Sequence, residues 1–283
     1  MELRFSPLFS GSSGNATYVG CDDVHILVDA GMSGNRVTGE LTRMGVDPKR
    51  LSAILVTHEH IDHIKGIGIL SRKYDLPVYA TEGTWQGMYS KIGAISEKNR
   101  VIFEPEQDFF IGPIDVTPFP TPHDSNQSVG YTFQLHGAKL AIATDLGCIK
   151  DSWLKHVMGA DAVILESNYD PDMLRAGPYP YELKKRIASR RGHLSNEDAG
   201  HVAAELVRNG TSQIILGHLS KENNFPELAM RSCELILQMA GIEPQVDASL
   251  CVANRDGATG MFSISCEVGE GLGIRNWELG TRN

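Results

Sequence analysis

Cysteine is scarce in this chain of 283 residues: there are five, at positions 21, 148, 233, 251 and 266, with no CxxC pair among them. An odd, scattered set excludes a disulfide framework and a zinc ribbon, so these read as reduced, mostly buried thiols. No apolar run reaches the roughly 18 residues that a membrane-spanning helix needs. The opening MELRFSPLFSGSSGN lacks the apolar core and cleavage site of a secretory signal, and the chain reads as cytoplasmic. Positive charge is also short. Against 35 Asp and Glu stand 26 Lys and Arg, a formal net charge of −9. That excludes a protein gripping nucleic acid through a global positive field, though not one with a local basic groove. Low-complexity linkers and short-period repeats are missing too.

What remains is ordinary for a soluble enzyme: 41% apolar and 22% charged residues, in a length able to bury a sizeable core. The pattern is α/β. Strands are expected over 16–20, 25–31, 53–56, 76–80, 138–145, 160–167, 212–218, 249–254 and 260–265. Helices are expected over 36–45, 64–74, 180–190, 195–210 and 226–240. The helix at 195–210 opens on a Ser-to-Asp capping box and ends on Gly. One domain over 1–268 accounts for these elements, with a Gly-rich tail at 269–283.

Against that background THEHIDH, residues 57–63, stands out. It puts three histidines and two carboxylates into seven positions directly after the buried-strand run LSAILV. Groups packed so tightly repel or compete unless a shared divalent cation sits among them. His58 and His60, two apart in extended chain, leave the same face. Asp62 and His63 fall where the chain turns into a helix and face a neighbouring point. Further ligands stand at other strand ends or loops: His123 in TPHDS, Asp145 ending AIATD and His218 ending IILGH. The assignment is His58, His60 and His123 on one ion, Asp62, His63 and His218 on the other, and Asp145 shared. In layered α/β proteins the C-terminal ends of strands converge on one rim.

THEHIDH with His123, Asp145 and His218 downstream closely resembles the metallo-β-lactamase superfamily signature. The resemblance implies an αββα four-layer sandwich with a dinuclear site on one edge. A carboxylate shared between two ions suits a phosphodiesterase, and no Cys lies at the motif as an amide-cleaving zinc enzyme would favour. Asp62 could orient the attacking water and accept its proton. His193 in RRGHLSN could protonate a departing oxygen, with Glu166 of ESNYD holding its imidazole. Alternatively, His193 is a polar residue near a helix cap and Glu166 a carboxylate binding backbone amides. Asp29 reads as a brace for the ligand loop.

The run LKKRIASRRGH (183–193) is the strongest basic cluster of an acidic chain. It serves either as a solvated face or as a phosphate contact. The GSSGN segment is either a plain turn or a set of amides and hydroxyls for a phosphate. The candidate substrate contacts are therefore Ser12, Ser13, Asn15, Lys184, Arg190, Arg191 and Ser195.

Within the superfamily, SGSSGNA, THEHIDHIKGIGIL, LESNYD, GPYPYELKKRI, GHLSNEDAGH and LGHLSKENN are similar to the bacterial YycJ group, also called WalJ or VicX. That likeness implies a DNA exonuclease acting 5′→3′ and linked to mismatch repair, with two divalent ions of zinc, manganese or iron. GHLSN is also similar to the His-bearing loop of tRNA 3′-processing nucleases. An RNA-processing nuclease and a glyoxalase- or lactonase-like hydrolase are the alternatives on the same fold. A non-catalytic partner with a vestigial site is disfavoured by the complete ligand set.

Overall fold

The computed structural model describes residues 1–266, and the tail expected at 269–283 lies outside them. In chain order the strands are β1 (Glu2–Phe9), β2 (Ala16–Gly20), β3 (His25–Val28), β4 (Ala53–Leu55), β5 (Val78–Ala80), β6 (Arg100–Ile102), β7 (Phe109–Ile111), β8 (Ile114–Pro120), β9 (Val129–Leu135), β10 (Ala138–Ala143), β11 (Ala162–Glu166), β12 (Gln213–Gly217), β13 (Ser249–Val252) and β14 (Phe262–Ser265). The helices are α1 (Gly34–Arg43), α2 (Ile61–Ile64), α3 (Ile67–Tyr74), α4 (Glu82–Ile92), α5 (Asp151–Val157), α6 (Pro171–Ala176), α7 (Tyr181–Ile187), α8 (Asn196–Arg208) and α9 (Pro226–Met239). No helix among the described residues is long and apolar enough to cross a membrane.

The strands form two seven-stranded sheets, in the orders β14-β1-β2-β3-β4-β5-β6 and β13-β12-β11-β10-β9-β8-β7. Each sheet is antiparallel on one side and parallel on the other: β3 to β6 run parallel in the first, β10 to β13 in the second. Both faces of the central strands are covered. In QIILG (β12), Ile215 points into the core between the sheets, while Ile214 and Leu216 pack outward beneath α5, α8 and α9. In β4, Leu55 joins the inter-sheet core and Ile54 faces the layer of α1, α3 and α4. Each such aliphatic contributes about 1.5–3 kcal/mol by leaving water. Two apolar faces per strand, with helices outside each sheet, make the expected four-layer αββα sandwich.

Several elements depart from the expected pattern. The helix foreseen over 64–74 splits into α2 and α3 at Gly66, where a Cβ would lie 2.5 Å from the Met32 carbonyl oxygen. Helix α4 was not foreseen because Gly83 and Gly87 interrupt EGTWQGMYSKI. Their bareness admits close neighbours: a Cβ on Gly87 would lie 2.4 Å from Cγ of Glu59. Strands β6 to β9 and helices α5 and α6 were also missed. In β8, Pro118 and Pro120 stand opposite Tyr131 and Val129 despite lacking an N–H to donate.

Candidate metal centre

The parallel strands deliver the reactive residues to one rim. Asp29 follows β3, His58 stands three residues past β4, Asp145 two past β10, Glu166 ends β11, and His218 follows β12. Three of these break the strand conformation abruptly. Asp29, Asp145 and His218 have φ of 60°, 59° and 58°, the left-handed region that L-residues avoid at a cost of about 1–3 kcal/mol each. The kink turns each side chain off the strand direction and into the rim. His60, in extended backbone, immediately precedes the single turn of α2 that carries Asp62 and His63.

Every residue expected to hold metal arrives at this rim. Ligand atoms of His58, His60 and His123 lie within 4.8 Å of one another, as do those of Asp62, His63 and His218. Asp145 faces both groups through separate oxygens. Its Oδ1 is 4.0 Å from Nε2 of His58 and 3.6 Å from Nε2 of His123, and its Oδ2 is 3.6 Å from Nε2 of His63. His58 Nε2, His218 Nε2 and Asp145 Oδ2 are buried with no hydrogen-bond partner among the described residues. An unanswered buried polar atom costs about 1–3 kcal/mol. Three of them converging from imidazoles and a carboxylate fit divalent cations.

The electrostatics agree. Burial, with neighbouring histidines, holds His58 well below the ordinary imidazole value, and burial lowers His123, so both present neutral ligand nitrogens. Burial also works against charge on His63, but Asp145, Asp29 and Asp62 outweigh it and raise that ring to about 9. His218 is likewise raised against its burial by Asp145, Asp62 and Glu166. Burial would raise the Asp62 carboxyl, yet His63 and His218 bring it down to about 2. Metal binding at the second group therefore displaces protons.

A ring of braces fixes the ligands. Asp29 accepts from the Thr57 amide at 2.8 Å, the Thr57 hydroxyl at 2.7 Å and His63 Nδ1 at 2.8 Å, leaving Nε2 of His63 turned to the centre. Its expected role as a loop brace is what the geometry displays; Thr57 was overlooked. His123 Nδ1 lies 3.0 Å from the Gly192 carbonyl, and the His218 amide donates to the Ser10 hydroxyl at 2.8 Å. Underneath, the buried Tyr131 hydroxyl donates across the sheets to the Val56 carbonyl at 2.6 Å. Gly31 lets the chain pass the ligand turn: a Cβ there would sit 1.6 Å from the Asp62 carbonyl oxygen.

Glu166 is fully engaged. Oε1 lies 2.8 Å from His193 Nδ1 and 2.8 Å from His218 Nδ1, while Oε2 accepts from the amides of Leu146 at 2.7 Å and Leu194 at 3.2 Å. Burial opposes ionisation, but His193 and His218 outweigh it and hold the carboxyl at about 2. Both sequence readings of Glu166 are thus present together, histidine partner and amide acceptor. His193 faces a cleft of ≈ 170 Å³ that Ser12, Asp124, Tyr179 and Arg186 also line. Asp124 and Arg186 form an ion pair at its edge.

Several expected substrate contacts are otherwise engaged. Ser195 is the buried N-cap of α8, accepting from the Asp198 amide at 3.1 Å. Asn15 is buried in its loop, accepting from the Gly11 amide and standing 3.0 Å from His63 Nε2. Arg191 donates to the carbonyls of His123 and Ser125, and Lys184 to that of Arg175. Each satisfies local backbone groups that the sequence could not reveal. Ser12, Ser13 and Arg190 are exposed, and Ser12 alone of the three lines the cleft.

Residues 25–219 match the β-lactamase superfamily domain family. Exodeoxyribonuclease YycJ of Bacillus anthracis is 44% identical over 241 residues, 85% of this chain and 91% of its own. Exodeoxyribonuclease WalJ of Streptococcus pneumoniae is 40% identical over 264 residues, 93% of this chain and 98% of its own. Among solved structures, the metallo-β-lactamase-fold protein YhfI of Bacillus subtilis superposes with a TM-score of 0.71, over 93% of this chain and all of that one, at 18% identity. A ligand-rich rim on a doubly layered sandwich, with relatives 40% and 44% identical over 93% and 85% of its length, makes the chain a member of the β-lactamase superfamily, in the group of YycJ and WalJ.

Proposed function

We propose that the chain is a cytoplasmic exodeoxyribonuclease that hydrolyses DNA phosphodiesters 5′→3′ with two divalent ions of zinc, manganese or iron. His58, His60 and His123 would hold one ion, Asp62, His63 and His218 the other, with Asp145 common to both. When bound, the ions supply activation of water and neutralisation of charge at the phosphate. Asp62, ionised at neutral pH, faces His63 and His218 and accepts the proton of the attacking water. His193 has Nδ1 committed to Glu166, so Nε2 is the nitrogen that delivers a proton to the departing oxygen. The Arg186 guanidinium at the cleft edge meets the backbone of the strand.

The observation carrying this reading is the shared oxygen of Glu166, 2.8 Å from both His193 and His218, which ties a proton donor to the ligand set. The names of the relatives support DNA as the polymer attacked. The test is a digest of 5′-labelled single- and double-stranded DNA and RNA with manganese, with zinc and with chelator. Mononucleotides released first from the labelled DNA end, and none with chelator, are expected. Intact DNA alongside turnover of S-lactoylglutathione would replace the reading with a thioester hydrolase.

A further inference from the structure

We infer that the side of α7 opposite the His193 cleft carries a second contact for the DNA strand, a groove where Tyr181 stacks on an unpaired base and Lys184 and Lys185 meet the flanking phosphates. This rests on the exonuclease reading above. Helices α6 and α7 enclose a groove of ≈ 470 Å³, floored by Tyr169, Pro171 and Leu174. Tyr181 stands at its rim with 75% of its surface exposed, and Lys184, Lys185 and Arg175 complete the wall. No carboxylate is among the lining residues, although Asp172 pairs with Arg175 at 2.8 Å from outside. Lys184 gives one proton to the Arg175 carbonyl, and an ammonium has three.

Groove and cleft are neighbours across one helix. Leu183, Arg186 and Ile187 of α7 line the cleft that His193 faces, whereas Tyr181, Lys184 and Lys185 line the groove. After β11, Asn168 faces the cleft and the next residue, Tyr169, the groove. A helix is about 10–12 Å across and stacked nucleotides advance about 3.4 Å, so a strand leaving the cleft reaches the groove after about three nucleotides.

The occupant follows from the lining. An apolar floor, an exposed aromatic ring and two lysines with no carboxylate in the lining, on a chain of net charge −9, fit a polyanion whose flat faces are apolar. Single-stranded DNA has that chemistry, and aromatic stacking holds it without regard to sequence. A neutral or basic peptide would share the floor but find no use for the clustered cations.

The experiment uses the manganese-loaded full chain with a trinucleotide and a dodecanucleotide of thymidylate. Tyr181→Ala is expected to raise KM for the dodecanucleotide about tenfold, with a much smaller effect on the trinucleotide. Tyr181→Phe restores the wild-type value because the ring is kept. A dodecanucleotide with 5-iodouracil at the fourth position crosslinks to Tyr181 under ultraviolet light. Wild-type KM in Tyr181→Ala, or crosslinks mapping away from α6 and α7, would overturn the groove and leave its apolar floor to a protein partner. Should the wild type cut neither strand yet crosslink through Tyr181, the exonuclease reading fails and the groove stands. The exposure of Tyr181 makes misfolding of its variants checkable by an unchanged melting curve.

Discussion

His193 Nδ1 and Glu166 Oε1 stand 2.8 Å apart at the end of β11, one ring exposed to the cleft and the carboxylate wholly buried. The pairing fixes which imidazole nitrogen faces substrate. His193→Ala is therefore expected to lower kcat by about 10²–10⁴ while metal content, read by elemental analysis, stays at the wild-type level. Full activity in this variant would assign the proton donor elsewhere.

Asp29 is a brace outside the ligand groups: it orients His63 and anchors Thr57 beside His58. Removing such an orienting carboxylate weakens metal binding by about 10–100-fold. Asp29→Ala should show this loss in competition with a chromophoric chelator. An unchanged affinity would mean that the ligand rings hold their places without it.

Steric pressure is most severe at Gly31, where an added methyl meets the Asp62 carbonyl at 1.6 Å. The turn carrying Asp62 and His63 must shift, and overpacking of this kind costs about 1–3 kcal/mol. Gly31→Ala should melt several degrees lower and bind metal less tightly. Gly39→Ala, in open space on α1, should do neither.

Acid sensitivity follows from Asp62 and Glu166, both held at about 2 against ordinary values of 3.8 and 4.5. Carboxyls that ionise more readily when folded stabilise the fold fully above their unfolded values. That contribution disappears as the pH falls toward 2. The melting temperature of metal-free protein should drop across this window, and Glu166→Gln should flatten the decline. An equal slope in wild type and variant would trace acid unfolding to other groups.

Much of the centre is legible in the sequence, because THEHIDH crowds its donors locally and the remaining ligands each sit at or near the end of an apolar strand. Asp29 and Glu166 are legible for the same reason. What the sequence conceals is how one atom divides its attention: residues 166, 193 and 218 meet only after β11, α8 and β12 have packed. The structural roles of Ser195 and Asn15 were not legible, because a hydroxyl or amide beside a reactive residue can as well cap a helix or bind a loop. The two sheets were partly hidden by Pro118 and Pro120, and α4 by Gly83 and Gly87, whose reasons lie in neighbours distant along the chain.

The left-handed backbone at Asp29, Asp145 and His218 sets heat resistance against performance. Glycine at any of the three would relax the main chain and remove a brace or ligand in the same stroke. Selection for thermal endurance alone should drift toward glycine at Asp145, whose Oδ2 has no hydrogen-bond partner among the described residues, whereas at Asp29 and His218 the buried partners left behind would cost more than the relief. A library screened for both traits should leave all three untouched and find its gains on the outer helices.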